Sequence, residues 1–318
     1  MNGVSRHLAP HPTERLITKD SPEWPAGLAE MAPLSSPGRL HVEGETLDAS
    51  KGHVAVVGSR RPTASGLDAA GHFSKALAEA GFVVVSGLAL GVDAAAHKAA
   101  LDAGGHTVAV IACGLDIDYP VTNRGLRKRI RQCGTVITEY EKGTVPDPWR
   151  FPERNRVIAA ISEAVIVVEG AERSGALITA RHAIDMNRAV FALPGSRRNH
   201  LARGPNALIR AGEASLVTDI QHVFDEIAPG LVWQAGVQSS EGGAKLDREE
   251  LAILSLLEEV PVGLERISSE VGMPAGKVAL MMAKLEVRSW VRRGIAGYVL
   301  TDGGARVRSL AADRSSHR

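Results

Sequence analysis

From His53 onward, short apolar runs alternate with glycine-bearing loops and amphipathic stretches. The apolar runs are His53–Gly58, Phe82–Gly87, Thr107–Gly114, Thr135–Glu139, Ala164–Gly170 and Ala189–Gly195, each rich in Val and Ile. That composition predicts about six β-strands, and their continuous rather than alternating apolar character means both faces are covered. The stretches between them predict helices over Leu67–Ala80, Val92–Ala103, Asn123–Gln132, Arg154–Ile161, Ala176–Asn187 and Pro205–Ala211. Strand and helix in strict alternation describe an α/β fold: a Rossmann-like, doubly wound, mostly parallel sheet.

The pattern changes at both ends. Residues 1–50, rich in Pro, Gly and short polar stretches, predict an extended arm packed against the sheet rather than a separate fold. Residues 51–228 form the Rossmann-like domain, and the glycines and serines of 229–246 predict a linker. Residues 247–302 then predict three helices (Asp247–Glu259, Leu264–Val271, Ala275–Val287) and a hairpin over Trp290–Leu300, a small C-terminal winged-helix domain. Its third helix has few basic groups beyond Lys277 and Lys284, so duplex binding and a protein-contact or accessory role both fit. Met281 and Met282 are expected to pack, and 303–318 reads as a flexible tail.

Composition narrows the class without naming a partner. With 318 residues, 44% hydrophobic and 23% charged, the chain is an ordinary globular protein of two domains. A formal net charge of +1 means nucleic-acid binding has to come from local clusters of arginine. The first sixteen residues lack a signal-peptide core and no apolar run approaches membrane-spanning length, so a cytoplasmic, membrane-free protein is expected. Cys113 and Cys133 lack metal-ligand spacing and are expected to be inert core thiols.

Ligands of doubly wound sheets bind beyond the carboxyl ends of the strands, which makes one site of loops distant in sequence. The first loop, Gly58 to Gly66, offers a glycine turn, the Ser59 hydroxyl, Arg60, Arg61 and a helix N-terminus, all suited to anionic oxygens. Alone, the two arginines fit ordinary surface charge better; their position at the rim favours the anion. The loop departs from G-x-G-x-x-G, and Ser86-Gly87 stands where a dinucleotide fold carries its acidic ribose ligand, so NAD, FAD and other cofactors are not expected. The second loop carries Gly87 and Gly91 and leads to Asp93 and His97, four residues apart on one helix face. With no third metal ligand and no nucleophile nearby, these read as structural, Asp93 complementing the helix dipole and pairing with His97.

Phe151-Pro152-Glu153-Arg154-Asn155-Arg156 is the sharpest local signal. Guanidinium forks match phosphate oxygens, and Phe151 or Trp149 could stack an unpaired base. The structural alternative has the arginines holding Glu153 or Glu169, and Arg156 is the better candidate for that role. Ser174-Gly175 precedes a helix and offers free amides, while Arg197, Arg198 and Arg203 follow the sixth strand. No catalytic or metal-binding residue emerges.

Taken in order, these loops resemble the DNA-processing protein family, DprA/Smf. Its recurring pieces stand here as Gly58–Arg60, Ser86–His97, Phe151–Arg156 and Ser174–Ala180, with Pro194-Gly195 and Gly204–Ile209 continuing the match over roughly residues 24 to 217. The resemblance implies a homodimer that binds and protects single-stranded DNA, delivers it to the RecA recombinase during natural transformation, and makes or breaks no bond. It implies a strand-binding pocket of Ser59, Arg60, Arg154, Arg156 and the Ser174-Gly175 turn. Two departures are visible: fifty residues leave no room for the extra N-terminal helical domain of many members, and Leu90 stands where others often have arginine. The enzyme alternative, a Rossmann-type nucleoside-monophosphate phosphoribohydrolase, expects Pro-Gly-Gly-x-Gly-Thr where this chain has Glu-Gly-Ala-Glu-Arg-Ser-Gly.

Overall fold

The computed structural model describes residues 14–31, 36–48, 50–231, 233, 248–257, 261–287, 290–294, 297–301 and 308. The chain divides into two compact units, residues 1–236 and 237–318. Apart from 229–231, 233 and 308, the expected linker and tail lie outside the described residues. Among the described residues, no helix is long and apolar enough to cross a membrane.

In the first unit, strands β1 (Arg15–Thr18), β2 (Arg39–Gly44), β3 (His53–Val57), β4 (Val83–Ser86), β5 (Thr107–Val110), β6 (Thr135–Thr138), β7 (Ala164–Val167), β8 (Ala189–Ala192) and β9 (Ser215–Leu216) form one sheet, ordered β1-β2-β6-β5-β4-β3-β7-β8-β9. The strands from β3 onward are mutually parallel. The helices are α1 (Ala26–Ala29), α2 (Ala64–Glu79), α3 (Val92–Asp102), α4 (Arg124–Cys133), α5 (Arg150–Ala160), α6 (Gly175–Asp185), α7 (Arg203–Ala211) and α8 (Ile220–Ile227). Within β3, Val54 and Val56 enter a cluster with Phe73 and Leu77 of α2, while Ala55 and Val57 enter another with Val157 and Ile158 of α5 and Leu177 of α6. Each fully buried valine contributes about 2 kcal/mol of apolar burial, and covering both faces doubles the yield per strand.

The chain builds outward from β3 through β4 and β5 to β6, then crosses back to β7 on the other side of β3. Loops leaving β3 and β7 therefore diverge in opposite directions, which opens a crevice at the carboxyl edge between them.

Two sequence expectations change. The described part of the first fifty residues is not an arm lying against the sheet, because Arg15–Thr18 and Arg39–Gly44 enter it: β2 pairs antiparallel with β6, and β1 pairs with β2. Ile17, Trp24, Leu28, Leu40 and Val42 join the core, and Arg15 fastens the segment through Glu23 at 2.6 Å and the Gly44 carbonyl at 2.9 Å. Second, α5 starts at Arg150, so Phe151 to Arg156 is the opening of a helix and not a loop. Pro152 falls in its first turn, where a missing N–H costs no hydrogen bond.

The second unit contains α9 (Arg248–Leu256), α10 (Leu264–Val271), α11 (Ala275–Val287) and the antiparallel hairpin β10 (Val291–Gly294) and β11 (Gly297–Leu300). Its core gathers Ile253, Leu257, Ile267, Met281, Met282 and Leu285. Lys277 of α11 is held by Glu249 at 2.6 Å.

Candidate nucleic-acid interface

A cleft of about 610 Å³ occupies the crevice at the carboxyl edge. The loop after β3 supplies Gly58, Ser59 and Arg60, α5 supplies Phe151, Arg154, Asn155 and Ile158, and the start of α6 supplies Ser174 and Gly175. The α5 set follows from helical spacing, since residues i, i+3, i+4 and i+7 share one face. Arg156 lies off that stripe. Its guanidinium turns to Glu139 in a tight, largely buried ion pair, so Arg156 is a structural residue and does not join the cleft.

Arg154 lies deeper than the sequence suggests. It is 4% exposed; Nε donates to Asn155 Oδ1 at 3.1 Å, and Nη1 donates to the carbonyls of Gly87 (2.7 Å) and Val110. Burial lowers its pKa to about 10, with Asp93 pulling the other way and Arg60 adding to the fall, so it stays a cation at neutral pH. A β-carbon on Gly87 would lie 2.6 Å from Nη2, so a side chain there requires the guanidinium to shift from its carbonyl partners. Arg154 thus joins α5 to the ends of β4 and β5, with Nη2 unbonded among the described residues.

Asp93 and His97 do not pair with each other. Each instead holds the backbone of the second loop: Asp93 Oδ2 accepts from the amides of Gly87 (3.1 Å) and Ala89 (3.3 Å), and His97 Nε2 accepts from the Leu88 amide at 3.3 Å. Thr107 Oγ1 donates to the Val84 carbonyl and therefore accepts from His97 Nδ1, which fixes the neutral tautomer. The loop needs this bracing because Leu88 has φ +56°, a conformation costing a leucine about 1 kcal/mol. Gly91, at φ +79°, brings the loop within reach of Ser59, whose carbonyl accepts from Val92. Burial lowers the His97 pKa to about 3. Between pH 6.5 and about 3 the unfolded chain takes up a proton that the folded chain refuses, so stability falls with pH, by up to ~1.4 kcal/mol per unit from this group. Urea midpoints at pH 7 and pH 5 should show the fall, and His97→Gln should flatten it; the same slope in the variant would assign it elsewhere.

The rim is aromatic and cationic. Arg60, exposed, lies 4.8 Å from the Phe151 ring centroid, and Tyr119 lies 5.5 Å from Phe151 on a tilted ring. Arg150 stands 4.6 Å from the ring of Trp149, which is 55% exposed. Arg60 pairs with no carboxylate among the described residues, and exposed Arg173 also lines the cleft. At the start of α6, Ser174 makes no side-chain cap, and its buried Oγ has no hydrogen-bond partner. An anion seated in this cleft meets the helix N-terminus and the guanidinium of Arg60 that line it.

Both oxygens of Glu169, at the end of the β7 run, are engaged. Oε1 accepts from Thr63 Oγ1 (2.7 Å) and Asn199 Nδ2 (3.1 Å), and Oε2 accepts from the Thr63 amide (2.8 Å). The carboxylate thus clamps the first loop to the end of the β7 run.

The model of the DNA recombination-mediator protein A family matches residues 15–228, and that of the DprA winged helix domain matches 238–295. The chain belongs to the DprA/Smf family. Protein Smf of Escherichia coli strain K12 is 34% identical over 294 residues, covering 91% of this chain and 78% of that one. The crystal structure of DprA from Streptococcus pneumoniae superposes with a TM-score of 0.63 at 41% identity, over 67% of this chain and 74% of that one. DNA processing protein A from Helicobacter pylori, whose structure describes a unique single-stranded DNA binding mode, gives a TM-score of 0.62 at 30% identity, over 68% and 96%. A DprA/Smf chain is a DNA-processing recombination mediator, and the two-unit organisation here has that family's α/β and winged-helix parts.

Of the residues expected to bind DNA, Ser59, Arg60, Phe151, Arg154, Asn155, Ser174 and Gly175 line the cleft together, as do Gly58 and Asp93, expected as structural residues. Arg61 is exposed on the same loop but does not line the cleft, nor do Arg197 and Arg198, which are exposed after β8. Sequence reasoning missed Tyr119 as a rim residue. Tyr119 sits after an unremarkable stretch of the third loop, and only the fold brings it to Phe151. Cys133 is exposed, against expectation, while Cys113 is buried and its pKa is raised by that burial.

Proposed function

We propose that this chain binds single-stranded DNA in the cleft, protects it, and passes it to the RecA recombinase during natural transformation, as a cytoplasmic homodimer that catalyses no reaction. The reading rests above all on Arg60, a guanidinium without an ion-pair partner among the described residues that is held over Phe151 and lines the same cleft as the start of α6. Phosphate is favoured by the guanidinium and amides, and an unpaired base by the Phe151 and Tyr119 rings, which a duplex cannot use while its bases remain stacked. Arg61, Arg197 and Arg198 extend the positive edge along which a strand would continue.

Gel-shift titrations of a single strand and of its duplex at two salt concentrations test it. Single strands should bind more tightly, with the affinity falling by roughly 0.7 logarithmic units per phosphate contact for each tenfold rise in salt. Equal affinity for both forms would overturn the assignment, and hydrolysis of AMP to adenine would return the phosphoribohydrolase reading.

A further inference from the structure

Helix α4 reads Arg-Gly-Leu-Arg-Lys-Arg-Ile-Arg-Gln-Cys: four arginines, one lysine and no acid in ten residues. This contradicts two rules of helix stability. Cations in the first turn oppose the helix dipole, and Arg124 with Lys128 is a like-charge pair one turn apart. Two of the cations have structural work: buried Arg127 donates to the carbonyls of Leu115 and Ile117, and Arg131 holds Glu43 at 2.7 Å. The other three, Arg124, Lys128 and Arg129, are exposed.

Their partners are weak. Arg124 meets Asp118 and Arg129 meets Asp102 in solvent-exposed pairs, which contribute little and are readily exchanged for a phosphate. Lys128 pairs with no carboxylate among the described residues, and exposed Lys98 of α3 lies one turn from Asp102. The start of α4 is tied to a loop that lines the cleft. Asn123, immediately before α4, donates to the carbonyls of Leu88 (2.9 Å) and Ala89 (3.2 Å), and Ala89 lines the cleft. Tyr119 is on the rim and Val121, 65% exposed, stands between it and α4. From there α4 runs about 15 Å down the flank of the sheet.

We propose that α4 is a second backbone-binding track: a single strand leaving the cleft past Tyr119 continues along Arg124, Lys128 and Arg129. The proposal deepens the cleft reading and rests on it. It predicts a dependence on strand length that the cleft alone does not produce.

The test compares (dT)6 with (dT)35 by fluorescence anisotropy, using the full chain, Arg60→Ala, and the triple variant Arg124→Ala, Lys128→Ala, Arg129→Ala, with thermal melts confirming that each folds. The triple variant should bind (dT)6 within twofold of the unaltered chain, and (dT)35 about tenfold more weakly with a salt slope shallower by roughly 2, from three lost contacts. Lys128→Glu alone provides a check if the triple variant fails to fold, and should also spare (dT)6 while weakening (dT)35. Unchanged (dT)35 binding, or equal losses at both lengths, overturns the track while Arg60→Ala still reports on the cleft. Failure of Arg60→Ala to weaken (dT)6 overturns the cleft reading, and the track with it.

Discussion

Arg154→Ala is expected to lower the free energy of unfolding by about 3–5 kcal/mol, read as a shift of the urea midpoint. The guanidinium is buried and supplies hydrogen bonds to Gly87, Val110 and Asn155, so its loss leaves two carbonyls and an amide oxygen without their donor. It also removes the cation nearest Asp93, whose own pKa is raised by burial and lowered by Arg154. Lysine in its place retains a charge but not the fork, and should recover only part of the loss. A loss below about 1 kcal/mol would contradict the role assigned here. The consequence for binding studies is practical: weakened DNA affinity in Arg154→Ala reports a disturbed scaffold as much as a missing contact.

Arg60→Ala should behave in the opposite way. Arg60 is exposed, makes no hydrogen bond or ion pair among the described residues, and lowers the pKa of neighbouring Arg154, a sign of mutual repulsion. Its removal should leave stability unchanged or slightly improved. Affinity for single strands should fall about 10- to 100-fold, through loss of a phosphate contact and of the cation–π support that orients Phe151. Titration by anisotropy beside a urea melt separates the two effects. A large stability loss, or unaltered affinity, would contradict the assignment.

Much of this was legible from residue order. Six runs of Val and Ile gave the parallel strands because strands buried on both faces have no polar positions to obscure them. The strands of the first fifty residues were not, since β1 and β2 are short, amphipathic and separated by prolines, and only their pairing beside β6 identifies them. At the site, motif position located the loops but not the direction of each side chain. Arg154, Asn155 and Arg156 are consecutive, and one helical turn sends the first two to the cleft and the third to Glu139. The start of α5 decides this, and Phe151-Pro152 reads equally as a loop or as a first turn. Asp93 and His97 were legible as structural residues, but their four-residue spacing suggested a mutual contact where each braces the loop that carries Leu88.

The most direct test maps where the strand lies. Oligonucleotides carrying a photoreactive 5-iodouracil should crosslink to Tyr119 or Phe151, the aromatic residues lining the cleft, as read by mass spectrometry of the tryptic peptides. Crosslinks confined to residues 237–318, or to the amino-end edge of the sheet around His53 and Glu163, would contradict the cleft as the seat of binding.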